Sequence, residues 1–182
     1  TKLKKILAVT GIRSEYFILQ PILDEIMKRD DLQLKLVVTG THLSPTYGNT
    51  YKIIENDPYD IIKLETLLSS DSLSGRSKSI GIQIMGLTDV VLREKLVLGD
   101  REESISTALV GTYMNIPIAH VCGGDRVVGN IDDSIRHAVT KLAHLHFPTT
   151  KENGERILKM GEEAWRIHVT GNPALDSIRK QP

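Results

Sequence analysis

The sequence lacks several features that would place it in common classes of protein. One cysteine stands among its 182 residues, which excludes an internal disulfide framework and favours a reducing compartment. No apolar run approaches the ~20 residues that a membrane-spanning helix needs. The apolar run at residues 6–9, after the basic N-terminus, is too short for the core of a signal peptide. We therefore expect a cytoplasmic protein with no membrane contact.

An excess of charge of one sign is also missing. The chain carries 23 basic and 23 acidic side chains, so its formal net charge at pH 7 is zero. This balance argues against a dedicated nucleic-acid-binding or membrane-surface protein. Apolar residues make up 40% of the chain, which is enough to bury a real core. The composition therefore predicts a soluble, globular chain.

The common cofactor and metal motifs are absent as well. The chain has neither the GxGxxG fingerprint of dinucleotide binding nor the GxxxxGK[ST] fingerprint of a P-loop. The spacing of His120, Cys122, His137, His144 and His146 matches no standard zinc pattern. Cys122 has no evident relay partner in the sequence, which argues against a cysteine nucleophile. We expect no cofactor and no metal.

What the sequence does have is an alternation of short apolar runs with longer amphipathic stretches, the pattern of βαβ units. One of those stretches repeats Ile80, Ile84, Leu87 and Val91 at helical spacing. We expect an α/β fold, a doubly wound parallel sheet with helices on both faces. The seven predicted strands are residues 5–9, 34–39, 60–64, 96–98, 117–121, 145–148 and 167–169.

Three local expectations follow from individual residues. Ser14 is placed to cap the first helix, and Pro21 should kink that helix. The helix that ends at Lys95 runs straight into the strand that begins at Leu96, although such loops usually take about 2–6 residues. We therefore expect a chain break or a missing loop between Lys95 and Leu96.

The ends of the predicted strands carry the candidate site, because ligands bind outside the carboxyl ends of parallel strands. Segments 10–15, 39–42, 99–103 and 120–126 each combine glycine with charged or hydroxyl side chains. Asp100 is the first catalytic candidate, since partial desolvation after an apolar strand suits a carboxylate to acid–base chemistry. A helix cap is the alternative role for Asp100.

Other charged residues allow two interpretations each. Arg13 is either a phosphate ligand or a solvated loop cation. Asp132 and Asp133 begin the helix that carries Arg136 and His137, so they belong either to a site or to a favourable contact with the helix dipole. Simple ion pairing with Arg136 is a further alternative.

These segments resemble the N-terminal half of UDP-N-acetylglucosamine 2-epimerases, in particular the hydrolysing branch of sialic-acid-type biosynthesis. The resemblance implies a Rossmann-like domain over residues 1–170 and the start of an interdomain crossover at 171–182. It also implies a GT-B architecture whose C-terminal nucleotide-binding domain is absent from this chain. The matching segments are TGIRSEY (10–16), VTGTHLS (38–44), YGNT (47–50), LGDREE (98–103), HVCGGD (120–125), IDDSIRHAVTKL (131–142) and GNPALD (171–176).

The resemblance further implies the conversion of UDP-N-acetylglucosamine and water to N-acetylmannosamine and UDP, and a homodimer. Cys122 stands where many members carry Glu, which leaves Asp125 as the carboxylate that serves instead. The implied catalytic residues are Asp100, Asp125, Asp132 and Asp133. The implied substrate-binding residues are Gly11, Arg13, His42, Arg101, Arg136 and His137.

Several functions stay open at this point. The substrate is UDP-N-acetylglucosamine or another sugar nucleotide, and the reaction is hydrolysing or non-hydrolysing. A binding module without turnover is the non-enzymatic alternative. Under the enzyme hypothesis, residues 1–182 alone should be inactive, because they form one wall of a cleft and positioning the reacting atoms can lower a barrier by about 7–11 kcal/mol.

Overall fold

The backbone follows the strand–helix alternation that the apolar pattern predicts. A computed structural model describes residues 3–70, 72–94, 97–100 and 104–179, giving the backbone alone at 97–100, 104, 177 and 179. The strands are β1 (Lys4–Thr10), β2 (Leu32–Val38), β3 (Ile61–Lys63), β4 (Val97–Asp100), β5 (Ile118–Val121) and β6 (Leu145–Phe147). The helices are α1 (Arg13–Met27), α2 (Tyr51–Ile54), α3 (Leu73–Glu94), α4 (Ser104–Tyr113), α5 (Ile131–Leu142), α6 (Lys151–Lys159) and α7 (Ala174–Arg179).

Within the described ranges these strands form one sheet of six strands, in the order β3-β2-β1-β4-β5-β6. Every neighbouring pair is parallel. β1 is central, since Ala8 pairs with Leu36 of β2 on one side and with Gly99 of β4 on the other. The strand order reverses between β1 and β4, which is the switch point where doubly wound sheets bind ligands.

The sheet buries apolar side chains on both faces, as a doubly wound sheet must. Leu7 and Val9 pack with Leu87 and Val90 of α3 on one face. On the other face Ala8 packs in a cluster that includes Leu19 of α1. The alternation along β1 follows from the two-residue period of a strand, and it confirms helices on both faces.

The predicted seventh strand is wrong. Ile167 forms one isolated parallel bridge with His146, and His168 N donates to His146 O at 2.8 Å. The segment follows a short 3-10 turn at Ala164–Arg166 and runs beside β6 without building a ladder. Residues 167–169 therefore extend the edge of the sheet as irregular backbone.

Of the other local expectations, the one for Ser14 is wrong: Ser14 is the second residue of α1, so it does not cap that helix. α1 continues through Pro21, and the kink there stays a prediction. The expected chain break between Lys95 and Leu96 lies outside the described residues. In the part of the chain that is described, no helix is both long and apolar enough to cross a membrane.

An apolar cavity of about 550 Å³ lies against the middle of the sheet. Its lining includes Ile6 and Ala8 of β1, Ala119 of β5, Leu145 of β6 and Leu23 of α1. The lining also includes Val121 and Phe147, the last residues of β5 and β6. Most of the lining side chains are apolar, so the cavity offers few hydrogen-bond partners to a sugar or a phosphate.

A buried carboxylate joins the last strand to the helices on either side of it. Glu162 Oε1 lies 2.5 Å from Lys141 Nζ. Glu162 Oε2 lies 3.3 Å from His146 Nε2 and 3.2 Å from Arg166 Nη2. Burial alone would raise the pKa of Glu162, but the contacts with Lys141 and His146 hold that pKa below its usual value. Burial lowers the pKa of His146. Its neutral ring therefore donates the Nε2 proton to the carboxylate.

We predict that Glu162→Gln destabilises this end of the sheet by about 1.5–3 kcal/mol, the usual value of hydrogen bonds to a buried charged group. Glu163→Gln is the matched control, because Glu163 is 63% exposed and pairs with Arg166 at 3.3 Å. An exposed pair of this kind contributes about 0–1 kcal/mol. Urea unfolding followed by the fluorescence of Trp165, the single tryptophan of the chain, measures both variants. Equal losses would contradict the prediction.

Candidate active site

Hydrogen bonds fasten the loop after β1 to the loop after β2. Thr39 N donates to Thr10 O at 3.0 Å, which continues the sheet one residue past β2. The carbonyl oxygen of Gly11 then accepts two bonds, from His42 N at 3.4 Å and from Thr41 Oγ1 at 3.0 Å. The two loops therefore form one rigid unit at the carboxyl edge of the sheet.

His42 supports this unit from within. Its side chain is 1% exposed, with Nε2 3.0 Å from Thr10 Oγ1 and Nδ1 2.8 Å from Thr50 Oγ1. Burial lowers the pKa of His42 to about 4, so the ring is neutral near pH 7. Both ring nitrogens are engaged by threonine hydroxyls. This geometry favours a positioning role for His42 over the direct substrate contact that the sequence predicts.

A buried carboxylate shapes the start of α1. Glu15 accepts hydrogen bonds from Gly11 N at 3.0 Å and from Ile12 N at 3.3 Å. Glu15 therefore caps the helix that Ser14 was expected to cap. Arg13, the first residue of α1, is exposed, and its guanidinium lies 5.5 Å from the centre of the Phe17 ring. A cation at a helix N-terminus is an arrangement that suits an anionic ligand.

Asp100 is the last residue of β4, beside the switch point between β1 and β4. Its backbone pairs with His120 of β5. The described part of α4 begins at Ser104. The side chain of Asp100 and the whole of Arg101 lie outside the described residues. The predicted roles of these two residues stay predictions.

The first part of the loop after β5 is packed too tightly for a side chain at Gly123. His120 is buried, with Nδ1 3.3 Å from Thr140 Oγ1. A Cβ at Gly123 would lie 2.7 Å from that same His120 nitrogen. Cys122 has φ of 59° and a buried side chain, and its N donates to Phe147 O at 2.9 Å. The Cys122 thiol forms no disulfide and is buried in this loop.

Three carboxylates follow on the same loop and the helix behind it. Asp125 Oδ1 accepts from Asn153 Nδ2 at 2.8 Å. Asp132 Oδ2 accepts from Asn130 Nδ2 at 2.7 Å, and Asn130 caps α5 by accepting from Asp132 N. Asp133 Oδ1 accepts from Val127 N at 2.8 Å. Asp132 and Asp133 therefore also close the loop that precedes α5.

The next turn of α5 places two basic side chains behind these carboxylates. His137 Nε2 lies 3.6 Å from Asp133 Oδ1, so the close i,i+4 partner of Asp133 is this histidine. Arg136 is buried, and its carbonyl oxygen accepts from Thr140 Oγ1 at 3.1 Å. The predicted site residues of α5 thus lie within the six consecutive residues 132–137.

The topology collects the predicted residues at one edge. Gly11 and Arg13 follow β1, Asp100 ends β4 and Asp125 follows β5, and these three strands are neighbours. This edge offers a cation at a helix N-terminus to an anion and carboxylates for proton transfer. Among the described residues, no group of three or more His, Cys, Asp or Glu side chains could hold a metal ion.

Sequence reasoning assigned no role to several residues that shape this edge. Glu15 had a sequence signal, because a Glu at the third position of a helix often reaches back to the residues before it. Asn153 and Arg156 had none, since they lie about thirty residues beyond the loop that they contact. A side-chain contact of this kind is created by the fold alone.

Comparisons with known proteins find relatives over almost the whole chain. A family model described as UDP-N-acetylglucosamine 2-epimerase matches residues 24–182. A UDP-N,N'-diacetylbacillosamine 2-epimerase (hydrolyzing) of Legionella pneumophila is 36% identical over 97% of this chain and 48% of its own length. A GDP/UDP-N,N'-diacetylbacillosamine 2-epimerase (hydrolyzing) of Campylobacter jejuni is 38% identical over 97% of this chain and 47% of its own length. A UDP-N-acetylglucosamine 2-epimerase of Neisseria meningitidis is 35% identical over 96% and 46%.

Solved structures show the same fold. The crystal structure of UDP-GlcNAc 2-epimerase from Neisseria meningitidis bound to UDP-GlcNAc matches with a TM-score of 0.83 at 22% identity, over 96% of this chain and 48% of that chain. A second crystal structure of a UDP-N-acetylglucosamine 2-epimerase matches with a TM-score of 0.85 at 22% identity, over 98% and 49%. The expected Rossmann-like half of a GT-B architecture is confirmed. The chain spans about half the length of the curated relatives it matches.

The burial of His42 yields a prediction about acid. Because the pKa of His42 is about 4, its ring should stay neutral down to that pH, whereas a solvated imidazole titrates near ~6.5. The folded chain therefore has a lower His42 pKa than the unfolded chain. The stability that comes from this pKa difference is fully present above pH ~6.5 and is lost as the pH falls towards the folded-state pKa of His42. An NMR titration of the imidazole signals checks this, with His42→Gln to assign the resonance. A midpoint near ~6.5 for His42 would contradict the buried geometry.

Proposed function

Because the chain belongs to the UDP-N-acetylglucosamine 2-epimerase family, we propose that it is the N-terminal half of a hydrolysing epimerase. In this proposal the whole protein converts UDP-N-acetylglucosamine and water to N-acetylmannosamine and UDP. The observation that carries the proposal is the edge itself. Arg13 follows β1 on one side of the switch point and Asp125 follows β5 on the other, with β4, which ends in Asp100, between those two strands. The hydrolysing relatives from Legionella and Campylobacter support the choice of branch.

The chemistry makes three demands on such an edge. A base removes the proton at C2 of the sugar while the bond between C1 and the UDP oxygen breaks, which leaves a 2-acetamidoglucal and UDP. Water then adds its hydroxyl at C1, and a proton returns to C2 on the opposite face. Positioned acids and bases contribute about 10²–10⁴-fold each to steps of this kind.

We assign the proton transfers and the delivery of water to the carboxylates Asp100, Asp125, Asp132 and Asp133. Asp125 keeps Oδ2 for the reaction, since Oδ1 accepts from Asn153. Arg13, exposed at the start of α1, would hold the diphosphate through its cationic guanidinium. Arg101, Arg136 and His137 are proposed substrate contacts. No step in this assignment calls for a cofactor or a metal.

A second substrate is supported by a specific observation. Relatives named for UDP-N,N'-diacetylbacillosamine are 36% and 38% identical to this chain, whereas the relative from Neisseria named for UDP-N-acetylglucosamine is 35% identical. Both substrates are UDP-linked 2-acetamido sugars and would undergo the same elimination and hydration. The proposal for UDP-N-acetylglucosamine therefore has the diacetylbacillosamine nucleotide as its direct competitor.

Product analysis of the full-length protein tests these alternatives. Each sugar nucleotide is incubated in D₂O, and the products are identified by ¹H and ³¹P NMR. Free UDP with a 2-epimerised sugar deuterated at C2 supports the hydrolysing reaction. A UDP-linked epimer without free UDP indicates the non-hydrolysing reaction. Binding without turnover supports the non-catalytic module, and turnover by residues 1–182 alone would contradict the half-cleft interpretation.

We predict that Asp100→Asn in the full-length enzyme lowers kcat by about 10²-fold or more, because it removes a positioned acid or base while keeping the side-chain shape. Asp30→Asn is the matched control, since Asp30 is an exposed carboxylate between α1 and β2 at the opposite edge of the sheet. Circular dichroism confirms that both variants fold. Near-normal turnover by Asp100→Asn would remove Asp100 from the catalytic assignment.

We also propose that the whole protein is a cytoplasmic homodimer that pairs through α3. This helix leaves Met85 and Leu92 65% and 60% exposed, one apolar side chain two turns from the other. Met85→Lys with Leu92→Lys should convert the dimer to a monomer in sedimentation experiments. Leu158→Lys on α6 is the control, because Leu158 is also exposed but lies on another helix. A wild-type monomer at micromolar concentration would contradict the proposal.

A further inference from the structure

We infer that Asn153 is a positioning residue for Asp125, and that Arg156 determines which way the Asn153 amide faces. The inference rests on the proposed function, because it requires Asp125 to take part in the reaction. Asn153 and Arg156 both belong to α6, which follows the last strand and supplies none of the carboxylates assigned above. α6 would thus act on the reaction through the loop after β5.

The Asn153 side chain is anchored at the start of α6. Its Nδ2 lies 2.8 Å from Asp125 Oδ1 and 3.0 Å from Thr149 Oγ1, so both amide protons have an acceptor. Thr150 caps the same helix by accepting from Asn153 N at 3.2 Å. The residue is 5% exposed. Water therefore competes little for the bond to Asp125.

Arg156 removes the ambiguity in the orientation of the amide. Its Nη1 lies 3.1 Å from Asn153 Oδ1, and its Nη2 lies 3.2 Å from Glu152 Oε1. A guanidinium group can only donate hydrogen bonds. Asn153 must therefore present its oxygen to Arg156, which turns its NH₂ group towards Asp125. A flipped amide would place an oxygen against the carboxylate and lose both bonds.

The backbone of the loop is held by the same helix. Arg156 Nη1 also donates to the carbonyl oxygen of Gly124, the residue before Asp125. Gly124 has φ of +82°, and a Cβ there would lie 2.5 Å from Asn153 O. The loop is thus pressed against the first turn of α6 with no space between them. The position of the Asp125 carboxylate depends on this contact as much as on β5.

The hydrogen bond from Asn153 engages Oδ1 of Asp125, so the reaction would use Oδ2. Asn153 is neutral, so it orients the carboxylate without supplying a competing charge. A charged donor such as Lys or Arg at the same place would hold the carboxylate ionised more strongly and oppose its use as an acid. An amide donor is therefore suited to a carboxylate that must gain and lose a proton within one catalytic cycle.

A double-mutant cycle in the full-length enzyme tests the inference. Asn153→Ala should lower kcat by about 10-fold with KM changed less than about 3-fold, since it loosens a reacting group without removing a substrate contact. In an Asp125→Asn background the same substitution should cause no further loss, because both changes act on one interaction. Glu155→Ala, at an exposed position of the same helix, should leave kcat unchanged. Additive losses in the double variant would overturn the inference.

The pH dependence of kcat/KM distinguishes a positioning role of Asn153 from a purely structural one. Asn153→Asp places a second carboxylate against Asp125, so that one of the two retains its proton. The acid limb of kcat/KM should then move to higher pH by about one unit or more, and Arg156→Lys should not reproduce this shift. An unchanged profile in Asn153→Asp would overturn the inference. This variant keeps the side-chain shape and also serves if Asn153→Ala fails to fold.

A stability cycle separates failure of the inference from failure of the proposed function. Unfolding of the wild type, Asn153→Ala, Asp125→Asn and the double variant measures the coupling of the two side chains without any substrate. If the two side chains are coupled in stability but the wild type turns over no sugar nucleotide, the proposed function is contradicted and the contact between Asn153 and Asp125 still stands. Absence of coupling would overturn the inference whatever the activity.

Discussion

The pairing of β1 with β2 on one side and with β4 on the other is the constraint on which the molecule depends. β1 is the one strand that runs between the two halves of the described sheet, and its register sets the level at which β2 and β4 end. Because every pair is parallel, the ends of the strands arrive at one edge, and the loops that follow them face the same solvent. A switch point at this place leaves a crevice, since the connections on its two sides run away from each other.

Buried polar side chains hold this edge together from below. His42 bridges two threonines, His120 contacts Thr140, and Asn153 holds Asp125. Neutral groups suit this position, because a buried charge without a partner costs far more than a buried hydrogen bond. The buried Glu15 carboxylate accepts from two backbone N–H groups, whereas Arg13 is exposed, where a ligand can pair with it.

The apolar pattern was sufficient to predict the sheet, its parallel pairing and most of its strands. It failed at residues 167–169, because three alternating residues beside an edge strand resemble a strand without making its ladder. The carboxyl-edge rule predicted where Gly11, Arg13 and Asp125 would lie, since position after a strand is written in the sequence. The burial of His42 and the contact of Asn153 with Asp125 could not be predicted, since each depends on which helix packs over which loop. The roles of Asp100 and Arg101 remain predictions.

The tight loop after β5 also governs how this edge can change in evolution. Gly123 has no room for a Cβ because of His120, and Gly124 has none because of the Asn153 backbone. A substitution at either glycine requires a compensating change on another element, so these positions change together or not at all. By contrast, residues 126–130 are exposed, and a Cβ at Gly129 would meet nothing within 4 Å. Single substitutions in this exposed stretch therefore meet little steric resistance, whereas a side chain at Gly123 or Gly124 forces a neighbouring element to move.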